Sequence, residues 1–301
     1  AGLIKCNRRE KSVYYFCTKI RSLAHKSDAI ARKVNLIISL LLLKEENEEE
    51  LEISRLRFAS SPLGNDQLLD LLEKHLVLVL RDQFLSHADQ VALARSIGEP
   101  TPAHPVVPGH PDHPEILELD GAKGGKNARW HTDVTFVATP PAGSVLVADV
   151  VPEWGGDTLW ADMRTAYERL SPSLQQLVDG LEAVHRISPL AYWGEPFDSA
   201  LSRDDAQKLF DDAAKVPPVV HPVVRVHPST GKKALFVNPG FTTHIVGYSR
   251  IESDNLLKLL YEHATQPEFV LRHHWQPGDV LLWDNRATMH YASDDYGTAE
   301  R

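Results

Sequence analysis

Apolar residues follow two different spacings after residue 63, and these spacings predict both helices and strands. Four leucines between residues 68 and 72 cluster on one side of a predicted helix over 65–75. The unbroken apolar run 76–80 is typical of a short buried strand. Ser86 is placed to cap a helix that runs to residue 96.

Similar patterns predict further elements, and their order indicates the fold class. Strands are expected at 116–119, 130–136, 144–150, 157–160, 219–226, 234–237, 269–273 and 280–283. Helices are expected at 163–170, 172–181, 204–215 and 253–263, the last opened by Ser253. Many short strands with helices at their sides, and a helical insertion over 188–216, are typical of a decorated sandwich or barrel. The pattern therefore predicts an α+β fold.

The first 63 residues differ in composition from the rest of the chain. They carry twelve lysines and arginines against eight acidic residues, a net charge of +4 in a chain whose total is −9. Residues 1–33 are basic, 34–43 apolar and 45–52 acidic. A basic start before an apolar run resembles a signal peptide, but the run begins late and no small-residue cleavage site follows it. We expect an amphipathic or partly disordered extension over 1–63 and one domain over 64–301.

Composition excludes several classes of protein. A net charge of −9 disfavours a nucleic-acid-binding protein that works by phosphate neutralisation. The longest apolar stretch, 36–43, is too short to cross a bilayer. Two cysteines cannot form a disulfide framework or a cysteine-rich zinc site. The fifteen histidines are therefore the residues most informative about chemistry.

A histidine followed two residues later by an aspartate occurs at 87/89, 110/112 and 131/133. The first pair opens a predicted helix, where residues two apart diverge. The second lies in the proline-rich loop 100–114, which offers no regular scaffold. The third lies in the predicted strand 130–136, whose residues two apart project from one face. Only His131 and Asp133 are therefore expected to converge on one ion.

A tightly held metal needs a third ligand from further along the chain. The downstream candidates are the histidines at 185, 221, 227, 244, 263, 273, 274 and 290. Two histidines and one carboxylate on one side of an ion give the open site of non-haem Fe(II) oxygenases. Arg301, eleven residues beyond His290, would then clamp the far carboxylate of a chelating 2-oxo acid. Two satisfied core histidines and a turn-capping aspartate explain the same spacing, so spacing alone leaves the choice open.

An ordered series of motifs favours the metal centre. They are WHTDVTF at 130–136, TPPAG at 139–143, GGDTLW at 155–160, LFVNPGFTT at 235–243, WDNR at 283–286 and HYA at 290–292. With them, the chain from about residue 64 to residue 301 resembles the taurine dioxygenase family of Fe(II)/α-ketoglutarate-dependent dioxygenases, which includes alkylsulfatase and herbicide-degrading members. The resemblance implies a double-stranded β-helix, or jelly roll, with helices packed outside it.

The same resemblance implies roles for individual residues. His131, Asp133 and His290 match the ligands of Fe(II), and α-ketoglutarate and O2 are the implied co-substrates. Arg301 matches the arginine that binds the distal carboxylate of α-ketoglutarate, and Thr158 matches the threonine that assists it. The positions that match the family's substrate pocket are His104, Asn127, Val134 and Phe241.

The chain also departs from the family pattern. Val107 and Ala191 stand where taurine-specific members have a tyrosine and a phenylalanine, which predicts a roomier and more apolar pocket. The usual final strand, with a second arginine, is expected to be absent, and the residues before 64 are unlike the family's opening segment. We therefore expect a member with an atypical N-terminus and a truncated C-terminus.

The implied activity is hydroxylation of a small anionic organic substrate, an alkyl sulfate or sulfonate, with release of succinate, CO2 and sulfate or sulfite. One alternative is a non-catalytic relic of the family that still folds and binds metal. Another is a zinc hydrolase with the same ligands, although Thr158 and Arg301 suit a dicarboxylate that a hydrolase does not use. A cytoplasmic homo-oligomer with no membrane span and no nucleic-acid partner completes the expectation.

Overall fold

The computed structural model describes residues 54–55, 65–101, 109–119, 128–187 and 203–296. The strands are β1 (Ser54–Arg55), β2 (Val77–Leu80), β3 (Gly143–Val147), β4 (Thr158–Asp162), β5 (Glu182–His185), β6 (Val219–Pro222), β7 (Val224–Val226), β8 (Lys233–Leu235), β9 (Thr242–Ile245), β10 (Val270–His273), β11 (Val280–Asp284) and β12 (Thr288–Ala292). The helices are α1 (Asn65–His75), α2 (His87–Ile97), α3 (Met163–Glu168), α4 (Pro172–Val178), α5 (Arg203–Lys215) and α6 (Arg250–Ala264), and a 3-10 turn spans Pro267–Phe269.

The strands form small sheets whose pairings are almost all antiparallel. Their orders are β1-β2-β11-β3, β10-β4-β12, β6-β5-β9 and β7-β8. The exception is β1, which pairs parallel to β2. Most neighbours in a sheet are distant in sequence, so the chain crosses repeatedly from one sheet to another. Helices pack beside these sheets, which confirms the α+β class predicted from the sequence.

Strand β11 lies at the centre of the largest sheet, between β2 and β3. All five of its residues are buried. Helix α1 has the bounds predicted from its leucines, and its buried Leu68 and Leu72 pack with Leu282 of β11. Burial of such side chains is the dominant favourable term in folding. The central sheet is therefore a rigid support for the turn that follows β11.

Strands β4 and β12 carry the candidate chemistry on one antiparallel pair. Trp160 of β4 lies opposite His290 of β12, and Thr158 lies opposite Ala292. Because side chains alternate along a strand, Thr158 and Trp160 share the face that His290 occupies on the partner strand. Strand β12 is not among the predicted strands, although polar and apolar residues alternate from Thr288 to Tyr291.

The segment 116–119 and the start of one helix differ from the prediction. The segment 116–119 forms no strand. Helix α6 begins before Ser253, because Ser249 and Glu252 form a reciprocal capping box at its start. Ser253 is buried inside the helix, where its hydroxyl accepts a hydrogen bond from the backbone N–H of Ile245 at 2.9 Å. Its role is thus to dock the helix on β9.

Among the described residues, every helix is too short or too polar to span a bilayer. Strand β1 lies within the predicted extension and adds to the edge of the central sheet. The division of the chain at residue 63 stays a prediction.

Truncation of a central-strand side chain tests this description of the core. Leu281 is fully buried in β11. We expect Leu281→Ala to lower the free energy of unfolding by about 2–5 kcal/mol, since it removes buried methyl groups and leaves a cavity. Val220→Ala is the control, because Val220 of β6 is 51% exposed, and its cost should stay within roughly 0.5 kcal/mol. Urea unfolding measures both, and equal losses would contradict the central position of β11.

Candidate metal centre

His131, Asp133 and His290 converge on one point. Oδ1 of Asp133 lies 3.5 Å from Nε2 of His131 and 3.6 Å from Nε2 of His290. The two imidazole centroids are 4.0 Å apart. Both histidines are buried, whereas 25% of the Asp133 side-chain surface is exposed. The donors therefore surround one position that remains accessible from one side.

A pair of backbone hydrogen bonds produces this convergence. The N–H of His131 donates to the carbonyl of His290 at 2.9 Å, and the N–H of His290 donates to the carbonyl of His131 at 2.7 Å. This isolated antiparallel bridge places the two residues directly opposite each other. In antiparallel pairs, side chains directly opposite each other lie on one face. The ligand donors thus meet although 159 positions separate the two histidines in the sequence.

The predicted strand over 130–136 is wrong. After the bridge at His131 the chain forms a turn over residues 133–136 and a bend over 137–139. Val134 has a φ of +53°, a left-handed conformation that is rare for a β-branched residue. The expected convergence of His131 and Asp133 is observed, but a turn produces it and not the regular alternation of a strand.

Asn285 and Thr132 hold this turn against the end of β11 and the start of β12. The amide oxygen of Asn285 accepts from the backbone N–H of Asp133 at 2.8 Å, and its NH2 donates to the carbonyls of Asp133 and Pro141 at 2.9 and 3.1 Å. The hydroxyl of Thr132 donates to the carbonyl of Thr288 at 2.9 Å. Asn285 and Thr132 are both buried, so these bonds fix the turn without competition from water.

Hydrogen bonds also prepare the donor atoms. Nδ1 of His131 lies 2.8 Å from the carbonyl of Arg129 and must donate to it, which leaves the lone pair on Nε2. The hydroxyl of Ser144 donates to Oδ2 of Asp133 at 2.7 Å, which leaves Oδ1 towards the histidines. Nδ1 of His290 is buried and has no hydrogen-bond partner among the described residues. Two of the three side chains are therefore oriented by the protein itself.

The protonation states suit cation binding. Burial raises the pKa of Asp133, but the neighbouring His290 and His131 and the hydrogen bond from Ser144 outweigh it, so the pKa lies well below its usual range. Burial, and next the His131 ring, lower the pKa of His290 to about 3 against the attraction of Asp133. At neutral pH the centre offers one carboxylate and a neutral imidazole.

The donor set fits a divalent transition metal. Nitrogen and oxygen ligands at their usual distances from an ion lie about 3.0–3.5 Å from one another. The Asp133 contacts of 3.5 and 3.6 Å need almost no rearrangement to reach that spacing. Two imidazoles and one carboxylate are the ligands of the facial triad that binds Fe(II) and leaves positions open.

Val134 and Phe241 lie close to these donors, and Thr158 shares a face of the β4–β12 pair with His290. Thr158 is buried on β4, and its hydroxyl accepts a hydrogen bond from the indole N–H of Trp275 at 3.0 Å. The Phe241 ring lies edge-on to His131, with centroids 6.2 Å apart. Val134 packs against the buried apolar cluster that contains Phe241. The remaining predicted site residues, His104, Asn127 and Arg301, lie outside the described residues, as do Val107 and Ala191.

Gly240 permits the close approach of Phe241 to the centre. A Cβ atom at Gly240 would lie 2.9 Å from the Cβ of His131 and 3.2 Å from the amide oxygen of Asn238. That oxygen accepts from the backbone N–H of Phe241 at 2.8 Å, and the NH2 of Asn238 donates to the hydroxyl of Thr135. The segment that carries Phe241 is therefore anchored to the turn that carries Asp133.

Sequence reasoning missed the residues that position the ligands. Asn285 and Asn238 both lie in quoted motifs, at 283–286 and 235–243, but nothing in their spacing shows which backbone groups they bind. Ser144 had no signal, because a serine in a strand is ordinary. A search for small polar residues flanking each ligand motif would have found Asn285.

Comparisons with known proteins identify the class of this centre. The model of the family described as "Taurine catabolism dioxygenase TauD, TfdA family" matches residues 42–301. The chain is 41% identical over 239 residues to an alpha-ketoglutarate-dependent sulfate ester dioxygenase of Pseudomonas putida, a match that covers 76% of this chain and 75% of the relative. It is 42% identical over 233 residues to an alkylsulfatase of Acinetobacter baylyi, covering 77% and 72%.

A solved structure extends the likeness to the fold. A taurine dioxygenase from Burkholderia xenovorans superimposes with a TM-score of 0.65 at 39% identity, covering 79% of this chain and 76% of that one. The chain belongs to the TauD/TfdA family. It is an α-ketoglutarate-dependent non-haem iron dioxygenase with the jelly-roll fold that the resemblance implied, and its chemistry uses Fe(II), α-ketoglutarate and O2. These comparisons give no support to a relic or a zinc hydrolase.

Removal of the Ser144 hydroxyl tests how the carboxylate is oriented. We expect Ser144→Ala to weaken Fe(II) binding by roughly 10-fold, since outer hydrogen-bond partners of metal ligands contribute about 10–100-fold to affinity. Stability should change by only about 1 kcal/mol. Anaerobic calorimetric titration with Fe(II) measures the affinity. Ser144→Thr keeps the hydroxyl and serves as the matched control, and equal affinities in both variants would contradict the role.

Proposed function

We propose that this dioxygenase hydroxylates the carbon that bears the sulfate or sulfonate group of an alkyl substrate. His131, Asp133 and His290 are proposed as the Fe(II) ligands, and Thr158 and Arg301 as the residues that bind α-ketoglutarate. The proposed substrate pocket consists of His104, Asn127, Val134 and Phe241. The observation that carries the proposal is the approach of both imidazole Nε2 atoms to Oδ1 of Asp133 at 3.5 and 3.6 Å.

The charge of the ligand set suits an oxo-diacid. One carboxylate and two neutral imidazoles leave a bound Fe(II) with a net positive charge, which favours an anionic chelator in the open positions. When bound, Fe(II) supplies the oxidation of a substrate C–H bond by O2, coupled to conversion of α-ketoglutarate to succinate and CO2. The protein contributes a fixed geometry at the reacting carbon.

The position of Thr158 supports its proposed role with α-ketoglutarate. It shares a face with His290 across the β4–β12 pair, so its hydroxyl lies on the metal side of the sheet. The indole N–H of Trp275 donates a hydrogen bond to that hydroxyl and so restricts its orientation. A guanidinium from Arg301 would complete the site, because an arginine binds a carboxylate with two parallel hydrogen bonds.

The surroundings of Phe241 favour an alkyl chain. Phe241 packs with the buried side chains of Phe136, Ile187 and Ala213, and Val134 borders the same cluster. Such a wall binds methylene groups by removing them from water and offers no hydrogen-bond acceptor to an ammonium group. The relatives named as a sulfate ester dioxygenase and an alkylsulfatase support the same class. Hydroxylation of a carbon that bears a sulfate ester gives an unstable product, which breaks its C–O bond to release an aldehyde and inorganic sulfate.

Product analysis tests the reaction and its ligands. With Fe(II), α-ketoglutarate, O2 and a medium-chain alkyl sulfate, we expect equal amounts of succinate, aldehyde and sulfate, and much slower turnover of taurine. His131→Ala and Asp133→Ala should abolish turnover, because each removes a ligand from a set of three. His244→Ala is the control, since His244 is exposed and bonds only to Thr243 among the contacts described. Full turnover in either ligand variant, or preference for taurine, would contradict the proposal.

Arg301 has a separate test that does not depend on turnover. We expect Arg301→Ala to weaken α-ketoglutarate binding by more than 10-fold while Fe(II) affinity stays unchanged, since a charged bidentate pair contributes about 1.5–3 kcal/mol. The visible charge-transfer band of the anaerobic Fe(II)–α-ketoglutarate complex measures the affinity. Arg250→Ala is the control, because the Arg250 side chain is 93% exposed. Unchanged α-ketoglutarate affinity in Arg301→Ala would refute the clamp.

We propose, in addition, a homo-oligomer located in the cytoplasm, in line with the expectation from the sequence. Light scattering of the purified chain tests the first part, and fractionation of the cells that make it tests the second. The roles of Val107 and Ala191 in widening the pocket are proposals of the same kind, which Val107→Tyr and Ala191→Phe would test.

A further inference from the structure

A second group of metal-binding side chains lies on α2 and the loop 109–119. His87, His110 and Glu118 each present a donor atom, and these atoms all lie within 4.8 Å of one another. The rings of His87 and His110 have centroids 4.4 Å apart, and Nε2 of His110 lies 3.9 Å from Oε1 of Glu118. None of the three belongs to the candidate iron centre.

The loop that supplies two of these donors is internally braced. The N–H of His110 donates to the carbonyl of Ile116, and the N–H of Ile116 donates to the carbonyl of His113, both at 2.8 Å. Gly109 permits this closure, because a Cβ atom there would lie only 2.2 Å from the carbonyl oxygen of Pro114. The other donor, His87, is the first residue of α2, whose start is fixed by the capping box of Ser86 and Asp89. Two ordered backbones therefore face each other across the group.

We propose that His87, His110 and Glu118 form a second metal site that binds a divalent transition metal of the zinc class. Two imidazoles and a carboxylate are a known ligand set for Zn²⁺, with water in the fourth position. Tetrahedral ligands lie about 3.3 Å apart, so donors that lie up to 4.8 Å apart must close by up to about 1.5 Å. The Glu118 side chain is 63% exposed and can make this adjustment by rotating about its own bonds.

One hydrogen bond must be given up when the metal binds. Nδ1 of His110 accepts from the backbone N–H of Asp112 at 3.1 Å, so Nε2 of the neutral ring carries the hydrogen. Zn²⁺ replaces that hydrogen, and Nδ1 then becomes protonated and loses the Asp112 contact. The hydrogen therefore moves from Nε2 to Nδ1 with no net release of a proton, and the cost of metal binding is the lost Asp112 hydrogen bond.

His113 lies beside the site but outside the donor group. Its ring centroid is 5.7 Å from that of His110 and 6.0 Å from that of His87. We assign it no ligand role. It provides a matched control, because it is a histidine of the same loop with a similar, intermediate burial.

Zinc titration of the full chain, freed of metal with a chelator, tests the proposal. We expect the unaltered chain to bind two equivalents of Zn²⁺, one at each site, by calorimetry or equilibrium dialysis. His110→Ala and Glu118→Gln should each weaken one of the two binding events by more than about 10-fold. Neither should alter the charge-transfer band of the Fe(II)–α-ketoglutarate complex. His113→Ala should bind two equivalents with unchanged affinity.

A second set of variants separates the two sites. His131→Ala/His290→Ala removes the proposed iron ligands and should retain one equivalent of Zn²⁺, which His87→Ala then abolishes. Co²⁺, whose visible spectrum reports its coordination, provides an independent measurement of the same site. A single equivalent in the unaltered chain, or two unchanged equivalents in His110→Ala, would overturn the proposal.

Discussion

The reciprocal backbone hydrogen bonds between His131 and His290 are the interaction on which the rest of the candidate centre depends. They join a turn to the edge of a sheet, and β12 is in turn paired along its whole length with β4. Because an antiparallel bridge fixes the positions of both Cβ atoms, it also restricts the directions in which the two imidazoles can point. Without this bridge the two histidines would separate even if their side chains were unchanged. The geometry of the ligands is thus determined mainly by backbone hydrogen bonds.

The turn after His131 brings the carboxylate to the imidazole. Oδ1 of Asp133 lies 3.5 Å from Nε2 of His131. Val134 adopts a left-handed conformation there, at a cost of about 1–3 kcal/mol. Three hydrogen bonds made by the buried Asn285, one accepted and two donated, offset that cost. The backbone strain at Val134 and the hydrogen bonds that offset it thus occur next to the Asp133 carboxylate, as is common at functional sites.

What the sequence could predict depended on the range of the interactions involved. Helix α1 has its predicted bounds because the spacing of its leucines lies within the helix itself. The signal for the start of α6 is equally local, because it consists of the capping pair Ser249 and Glu252. The predicted start at Ser253 is therefore wrong for a reason that the local sequence contains. The segment 130–136 has the composition of a strand because its residues are largely buried, and burial around a turn selects the same side chains. Its true partner, His290, lies too far along the chain for any local pattern to reveal. The motif series, read as a family resemblance, supplied what spacing could not.

The His-x-Asp pairs also show that a local pattern does not reveal contacts between distant segments. The sequence disfavours two of the three, the first because residues two apart diverge in a helix and the second because its loop has no regular scaffold. The fold nevertheless places His87 of the first beside His110 of the second. The two clusters differ in preparation. The Arg129 carbonyl already holds the lone pair of His131 towards the centre, whereas His110 accepts a hydrogen bond on the wrong nitrogen and Glu118 is largely exposed. Since each adjustment subtracts from the binding free energy, the candidate iron centre should fill at lower metal concentration than the proposed site of His87, His110 and Glu118. The relative metal affinity of the two clusters therefore depends on how completely hydrogen bonds orient the donor atoms before the metal binds.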